Sequence, residues 1–84
     1  MTDLEFEVLD ELYFVTSFKA LKNEIEVEEA VLKNCLKELL EKQWVRCFKT
    51  VDTEEDEEGL DFENKYAEYY YLASKKGLMA HNRS

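Results

Sequence analysis

The sequence predicts an α+β fold in which three helices precede a β-hairpin and a short helix follows it. Apolar residues recur at helical spacing from the N-terminus to about residue 42, and the pattern then changes to the alternation that is typical of strands. The chain has 84 residues, enough for one small domain, and we expect residues 1–84 to form that domain.

The composition is that of a globular protein, since 45% of the residues are hydrophobic. The sequence has neither a signal-like N-terminus nor an apolar run near ~18 residues, so we expect a soluble cytoplasmic protein with no membrane contact. In that compartment Cys35 and Cys47 are expected to be reduced thiols that fill the core, rather than disulfide partners.

Three segments have the spacing of amphipathic helices. We predict a first helix from Asp3 to about Val15, a second over residues 17–24 capped by Thr16 or Ser17, and a third over roughly 28–42. The apolar residues expected along their inner faces are Leu4, Val8, Leu9, Leu12, Tyr13 and Val15, then Phe18, Leu21 and Ile25, then Val27, Val31, Cys35, Leu36, Leu39 and Leu40.

The two strands of the hairpin are predicted at residues 44–51 and 66–73, which are rich in aromatic and β-branched residues. Ser74 predicts the cap of a short final helix, whose end is expected to fray near His81. In the second strand the residues expected to point inward are Ala67, Tyr69, Tyr71 and Ala73.

The negative charge of the chain is concentrated in one segment. The formal net charge is −9, and residues 52–63 contain eight of the twenty acidic residues and no basic one. We expect residues 52–65 to form the tip of the hairpin, as a solvated loop or as a docking segment for a basic partner. A calcium-binding loop is the third interpretation, and its ligands would be Asp52, Glu54, Asp56, Glu58 and Glu63.

The calcium interpretation is the weakest of the three, and we predict no metal site. The loop of an EF-hand requires glycine at its sixth position, where this chain has Glu57, and Gly59 comes two residues too late. A hairpin tip also lacks the two helices that flank such a loop.

Two motifs resemble those of a known family. Residues 16–46 resemble the helix-turn-helix core of winged-helix regulators, in which a long helix leads into a "G-W-V" segment, here Gln43, Trp44 and Val45. Residues 71–77 (YLASKKG) resemble the segment that closes the wing in multiple-antibiotic-resistance-type and phenolic-acid-type repressors. The resemblance spans about two thirds of the chain and implies a winged helix, with the hairpin as the wing.

Three positions depart from the family pattern. The turn glycine before the third helix is Glu26, the Ser or Thr cap of that helix is Glu28, and the glycine before the first strand is Gln43. Each change costs roughly 1 kcal/mol where the backbone requires a positive φ. The first two also place carboxylates where a recognition helix approaches phosphates.

The resemblance implies a transcription-associated regulator that binds DNA, as a homodimer, through its third helix. The residues available for DNA contact are Lys33, Asn34 and Lys37, with Lys22 on the helix before. A patch this small predicts weak or assisted binding, because affinity for DNA comes largely from cations on phosphates.

The alternative function is a protein-interaction module that has lost DNA binding. It would act through the acidic loop or through an aromatic outer face of the hairpin, formed by Trp44, Phe48, Tyr66 and Tyr70. We expect no enzymatic activity, no cofactor and no small-molecule ligand, because the one histidine, His81, has no recognisable catalytic motif around it and no phosphate loop or metal-ligand spacing is present.

Overall fold

The computed structural model describes residues 1–50, 53–54 and 60–83, and its architecture confirms the predicted α+β class. The elements are α1 (Asp3–Glu11), β1 (Thr16–Ser17), α2 (Phe18–Glu24), α3 (Glu29–Glu41), β2 (Val45–Thr50), β3 (Thr53–Glu54), α4 (Phe62–Lys65), a 3₁₀ helix (Tyr66–Glu68), β4 (Tyr70–Ala73) and α5 (Lys75–Asn82).

The strands form one antiparallel sheet in the order β1-β4-β2-β3. The longest pairing joins β2 to β4 and runs from Val45 opposite Ala73 to Phe48 opposite Tyr70. The other edge of β4 pairs with β1, a two-residue strand between α1 and α2 that the sequence did not predict. This short strand ties the hairpin to the helical half of the molecule.

The core lies between helices α1, α2 and α3 and one face of the sheet. Cys35 and Cys47 are buried and are not joined by a disulfide, as predicted. Burial, with a smaller effect from nearby carboxylates, raises the pKa of Cys35 to about 12, so this thiol is not reactive near neutral pH. The side chains with no exposed surface are Val8, Leu9, Leu12, Leu21, Leu32, Leu36, Leu39 and Tyr71.

The helix predictions need two corrections. Helix α1 ends at Glu11 rather than near Val15, so Tyr13 lies outside the helix and is 43% exposed. In α3 the prediction was wrong about Val31, which is 43% exposed, while Leu32 is fully buried. Leu32 is spaced 3, 4 and 7 residues from three other buried side chains of α3, Cys35, Leu36 and Leu39, so it completes one continuous stripe.

The second predicted strand is shorter than expected. Residues 62–68 form α4 and the 3₁₀ helix, and the strand begins only at Tyr70. Tyr69, Tyr71 and Ala73 are buried as predicted, but Ala67 is exposed. The predicted loop at 52–65 therefore ends in a helical turn, and most of its acidic tip lies outside the described residues.

The final helix begins as predicted, because the Ser74 side chain accepts a hydrogen bond from the Gly77 amide. Its end, however, is packed. His81 is only 8% exposed, its ring stacks on Phe6 with centroids 4.2 Å apart, and its Nδ1 lies 3.1 Å from the Tyr13 hydroxyl. The expectation of a frayed end at His81 was wrong because α5 packs against α1.

Candidate functional site: the covered face of the third helix

The residues predicted to contact DNA lie on and beside α3. Lys33 and Lys37 are four residues apart, which places both side chains on the same side of the helix. Asn34 is exposed, and Lys22 lies half-buried in the last turn of α2. The structure brings Lys33 and Lys37 together, and it places a carboxylate between them.

That carboxylate belongs to Glu63 of α4. Its Oε1 lies 3.3 Å from Lys33 Nζ, and its Oε2 lies 3.5 Å from Lys37 Nζ. The hydrogen bond from Lys33, together with the charge of Lys37, holds the pKa of the Glu63 carboxyl below its usual value. The carboxylate is therefore ionised at neutral pH and occupies the position in which an anionic ligand of the two lysines would bind.

Tyr66 adds a second contact from the same segment. Lys33 Nζ lies 4.9 Å from the centroid of the Tyr66 ring, close enough for a cation–π interaction. The Tyr66 hydroxyl donates a hydrogen bond to the Glu29 carboxylate in the first turn of α3, and this bond raises the pKa of Tyr66. Together these contacts of Glu63 and Tyr66 cover the side of α3 from Lys37 to Glu29, near the N-terminal end of the helix.

We call residues 61–68 the covering segment, and three contacts hold it in place. Phe62 is buried in the core, the Tyr71 hydroxyl donates to the Tyr66 carbonyl oxygen over 2.6 Å, and the amide of Asp61 donates to the Tyr69 hydroxyl over 3.0 Å. Burial raises the pKa of Tyr71, so its hydroxyl remains a donor. The ring of Tyr66 also packs edge-on against Phe18, with centroids 5.1 Å apart.

Sequence reasoning missed the role of Glu63, although one local signal was present. Phe62 and Tyr66 are four residues apart, which is the spacing of neighbours on one side of a helix. The acidic composition of the preceding residues favoured a loop and concealed that spacing.

The four aromatic residues proposed as one outer face do not form one exposed surface. Phe48 is 8% exposed, and the Arg46 guanidinium carbon lies 5.4 Å from the centroid of its ring. Tyr66 lies beside α3, outside any strand, because the chain is helical there. Trp44 and Tyr70 are half-buried. Phe48 lies opposite Tyr70 in the sheet, as predicted, but it is covered, so the prediction that it is exposed was wrong. The prediction that Tyr66 lies in the strand was also wrong, while a role for Trp44 or Tyr70 stays a prediction.

The described residues contain no cluster of three or more metal-ligating side chains, and the positions in the calcium interpretation lie mainly outside them. No helix in the same part of the chain is long and apolar enough to cross a membrane. No protein-family model, curated protein or solved structure matches the chain.

Proposed function

We propose that the chain is a winged-helix protein that acts as a protein-interaction module rather than by binding DNA. Support for the winged helix comes from the order of elements, with a short strand between the first two helices and a hairpin after the third. The pairing of β1 with β4 and of β4 with β2, and the two motifs described above, support the same assignment.

The observation that carries the functional proposal is the ion pairing of Glu63 with Lys33 and Lys37. Cations that neutralise phosphates supply most of the affinity for DNA, and two of the four candidate donors already face a carboxylate of their own chain. The N-terminal end of α3 carries Glu28 and Glu29, at the end by which a recognition helix enters the major groove. The net charge of −9 also repels the negatively charged DNA backbone.

A second candidate is a transcription-associated regulator that binds DNA through α3 once Glu63 is displaced. One observation favours it: the Glu63 side chain is 58% exposed, and ion pairs in such positions contribute little free energy. A phosphate group can compete with such a pair, and a homodimer would double the number of contacts.

Fluorescence anisotropy with a generic labelled duplex, at low and at moderate salt, distinguishes the two candidates. We expect no binding by the parent protein at low salt. Binding that falls steeply with salt and is lost in a Lys33→Glu, Lys37→Glu double variant would instead establish α3 as a DNA-binding helix. Binding by Glu63→Gln alone would also support the second candidate, with Glu63 as the barrier. Circular dichroism of each variant checks that the fold is retained.

A further inference from the structure

We propose that the groove between Trp44 and α5 binds a short acidic peptide segment of a partner protein, with one apolar side chain of that segment seated beside Trp44. This inference rests on the proposed function, because it names the surface and the chemical class of the protein partner.

The groove has a volume of about 540 Å³ and combines an apolar floor with a basic rim. Trp44, Met79 and Ala80 supply the floor, and Met79 is 48% exposed. Its volume falls within the ~300–1,000 Å³ that is usual for ligand sites. The residues of the rim are Lys75, Lys76 and Arg83.

Among the described residues, the three cations of the rim have no acidic partner. In the part of the chain that the structure describes, Lys75, Lys76 and Arg83 form no ion pair, although acidic residues outnumber basic ones twenty to eleven in the whole sequence. Lys75 and Lys76 lie in the first turn of α5, where positive charge opposes the helix dipole and no acidic residue offsets it. Carboxylates bound at this rim would remove that unfavourable interaction.

Backbone hydrogen bonds fix the position of Trp44 in the floor of the groove. The Trp44 amide donates to the Leu39 carbonyl over 2.9 Å, and the Trp44 carbonyl accepts from the Ser74 amide over 2.8 Å. Gly77 packs directly against the Trp44 carbonyl, and Lys42 Nζ lies 4.8 Å from the centroid of the indole. A site that is already formed loses less conformational freedom when a ligand binds, which favours measurable affinity for a short segment.

The form of the groove favours a peptide over a nucleic acid. Single-stranded nucleic acids are bound along extended basic tracks with several stacking rings, whereas this groove offers one indole and three cations on a protein of net charge −9. Met79 and Ala80 provide a contact for an aliphatic or aromatic side chain, and the rim provides partners for carboxylates on either side of it.

Trp44 is the only tryptophan of the chain, so its fluorescence reports directly on the groove. The probe is an acetylated and amidated peptide of sequence Glu-Glu-Asp-Leu-Glu-Glu, with a second peptide in which Ser replaces Leu. We expect saturable change in Trp44 emission with the first peptide and about tenfold weaker binding of the second. A Lys75→Glu, Lys76→Glu variant should also bind the first peptide about tenfold more weakly.

The matched control is a Lys19→Glu, Lys65→Glu variant, which makes the same change in net charge at two exposed lysines outside the groove. It should bind the first peptide within about twofold of the parent protein, since surface charges outside a contact act mainly through weak, screened attraction. Circular dichroism and the emission of the free proteins confirm that both double variants keep the fold.

Four results would overturn the proposal. Two concern the peptide: no saturable response of the Trp44 emission to the first peptide, or equal weakening of peptide binding by both double variants. The other two concern a different occupant: tighter binding of an oligothymidine than of the peptide, or a mass in light scattering that rises with concentration because a second copy of this chain occupies the groove. The DNA experiment is independent of these results, since it depends on Lys33 and Lys37. If neither the peptide nor the duplex binds, the groove is not the interaction surface, but the proposed protein-interaction function still stands.

Discussion

At the scale of single residues, the most informative position is Gln43. It follows the C-cap of α3 and has φ of 63°, and it is the only non-glycine residue with positive φ among the described residues. The winged-helix pattern that the sequence resembles has glycine at this position, and the positive φ of Gln43 confirms that the backbone here adopts the conformation that glycine favours. Glu26, the other departure at a turn, does not have a positive φ.

Gln43→Gly should raise the free energy of unfolding by about 0.5–1 kcal/mol, because glycine adopts a positive φ without the steric cost that a Cβ brings. Urea unfolding followed by circular dichroism measures the change. Gln43→Ala is the control, since alanine keeps the Cβ and should leave the stability near that of the parent. Equal stabilities of the glycine and alanine variants would show that the backbone at this position is not strained.

At the scale of elements, α5 is joined to the start of β2 by very close packing. A Cβ at Gly77 would lie 2.0 Å from the Trp44 carbonyl oxygen, which is far inside van der Waals contact. The Ser74 hydroxyl donates a hydrogen bond to the Gln43 carbonyl over 2.7 Å, and the Ser74 amide donates to the Trp44 carbonyl. Glycine is therefore required here by the approach of two backbones, and not by an unusual φ.

Gly77→Ala should lower the free energy of unfolding by about 1–3 kcal/mol, because α5 must move away from β2 to admit the methyl group. Thermal and urea unfolding measure the loss. Lys76→Ala, at an exposed neighbouring position of the same helix, should change the stability by less than about 0.5 kcal/mol. If the two variants were equally stable, the close approach of α5 to Trp44 would be incorrect.

At the scale of the whole molecule, one ion pair joins the N-terminus to the end of α3. Glu5 is 3% exposed, receives a hydrogen bond from the Thr2 amide in a capping box, and lies 2.5 Å from Lys42 Nζ. Burial alone would raise the pKa of the Glu5 carboxyl, but the contacts with Lys42 and Thr2 outweigh it and hold the pKa below its usual value.

The lowered pKa of Glu5 determines how the stability of the protein should depend on pH. A carboxyl whose pKa is lower in the folded state stabilises the protein above its unfolded pKa of ~4.3, and that contribution is lost as the pH falls through the folded value. Unfolding in urea at a series of pH values should therefore show stability falling below about pH 5. Glu5→Gln should lower stability by about 1–2 kcal/mol at neutral pH and flatten this dependence, whereas Glu7→Gln, at an exposed position of α1, should do neither. An unchanged pH dependence in Glu5→Gln would contradict the role of the pair.

Most of the local structure was predictable because its causes lie within a few residues. The inner stripe of each helix, the caps at Ser17 and Ser74, and the strand at β2 follow from the spacing and the side chains of near neighbours. The positive φ at Gln43 follows from where α3 must end and β2 begin. The choice between Val31 and Leu32 was harder, since Val31 is four residues before Cys35 and therefore lies at the edge of the buried stripe that contains Leu32.

The sequence by itself thus determined the α+β class, the positions of the main helices, the burial of the two cysteines without a disulfide and the candidate basic residues of α3. Only the tertiary structure decided that Glu63 meets Lys33 and Lys37, that His81 is buried, and that Phe48 is covered rather than exposed. All three outcomes depend on contacts between residues far apart in sequence. For Glu63 these are the hydrogen bond from Tyr71 and the burial of Phe62, which hold the covering segment against α3. Periodicity and capping describe neighbours along the chain, whereas the match between a carboxylate and two distant lysines is set by how the elements pack.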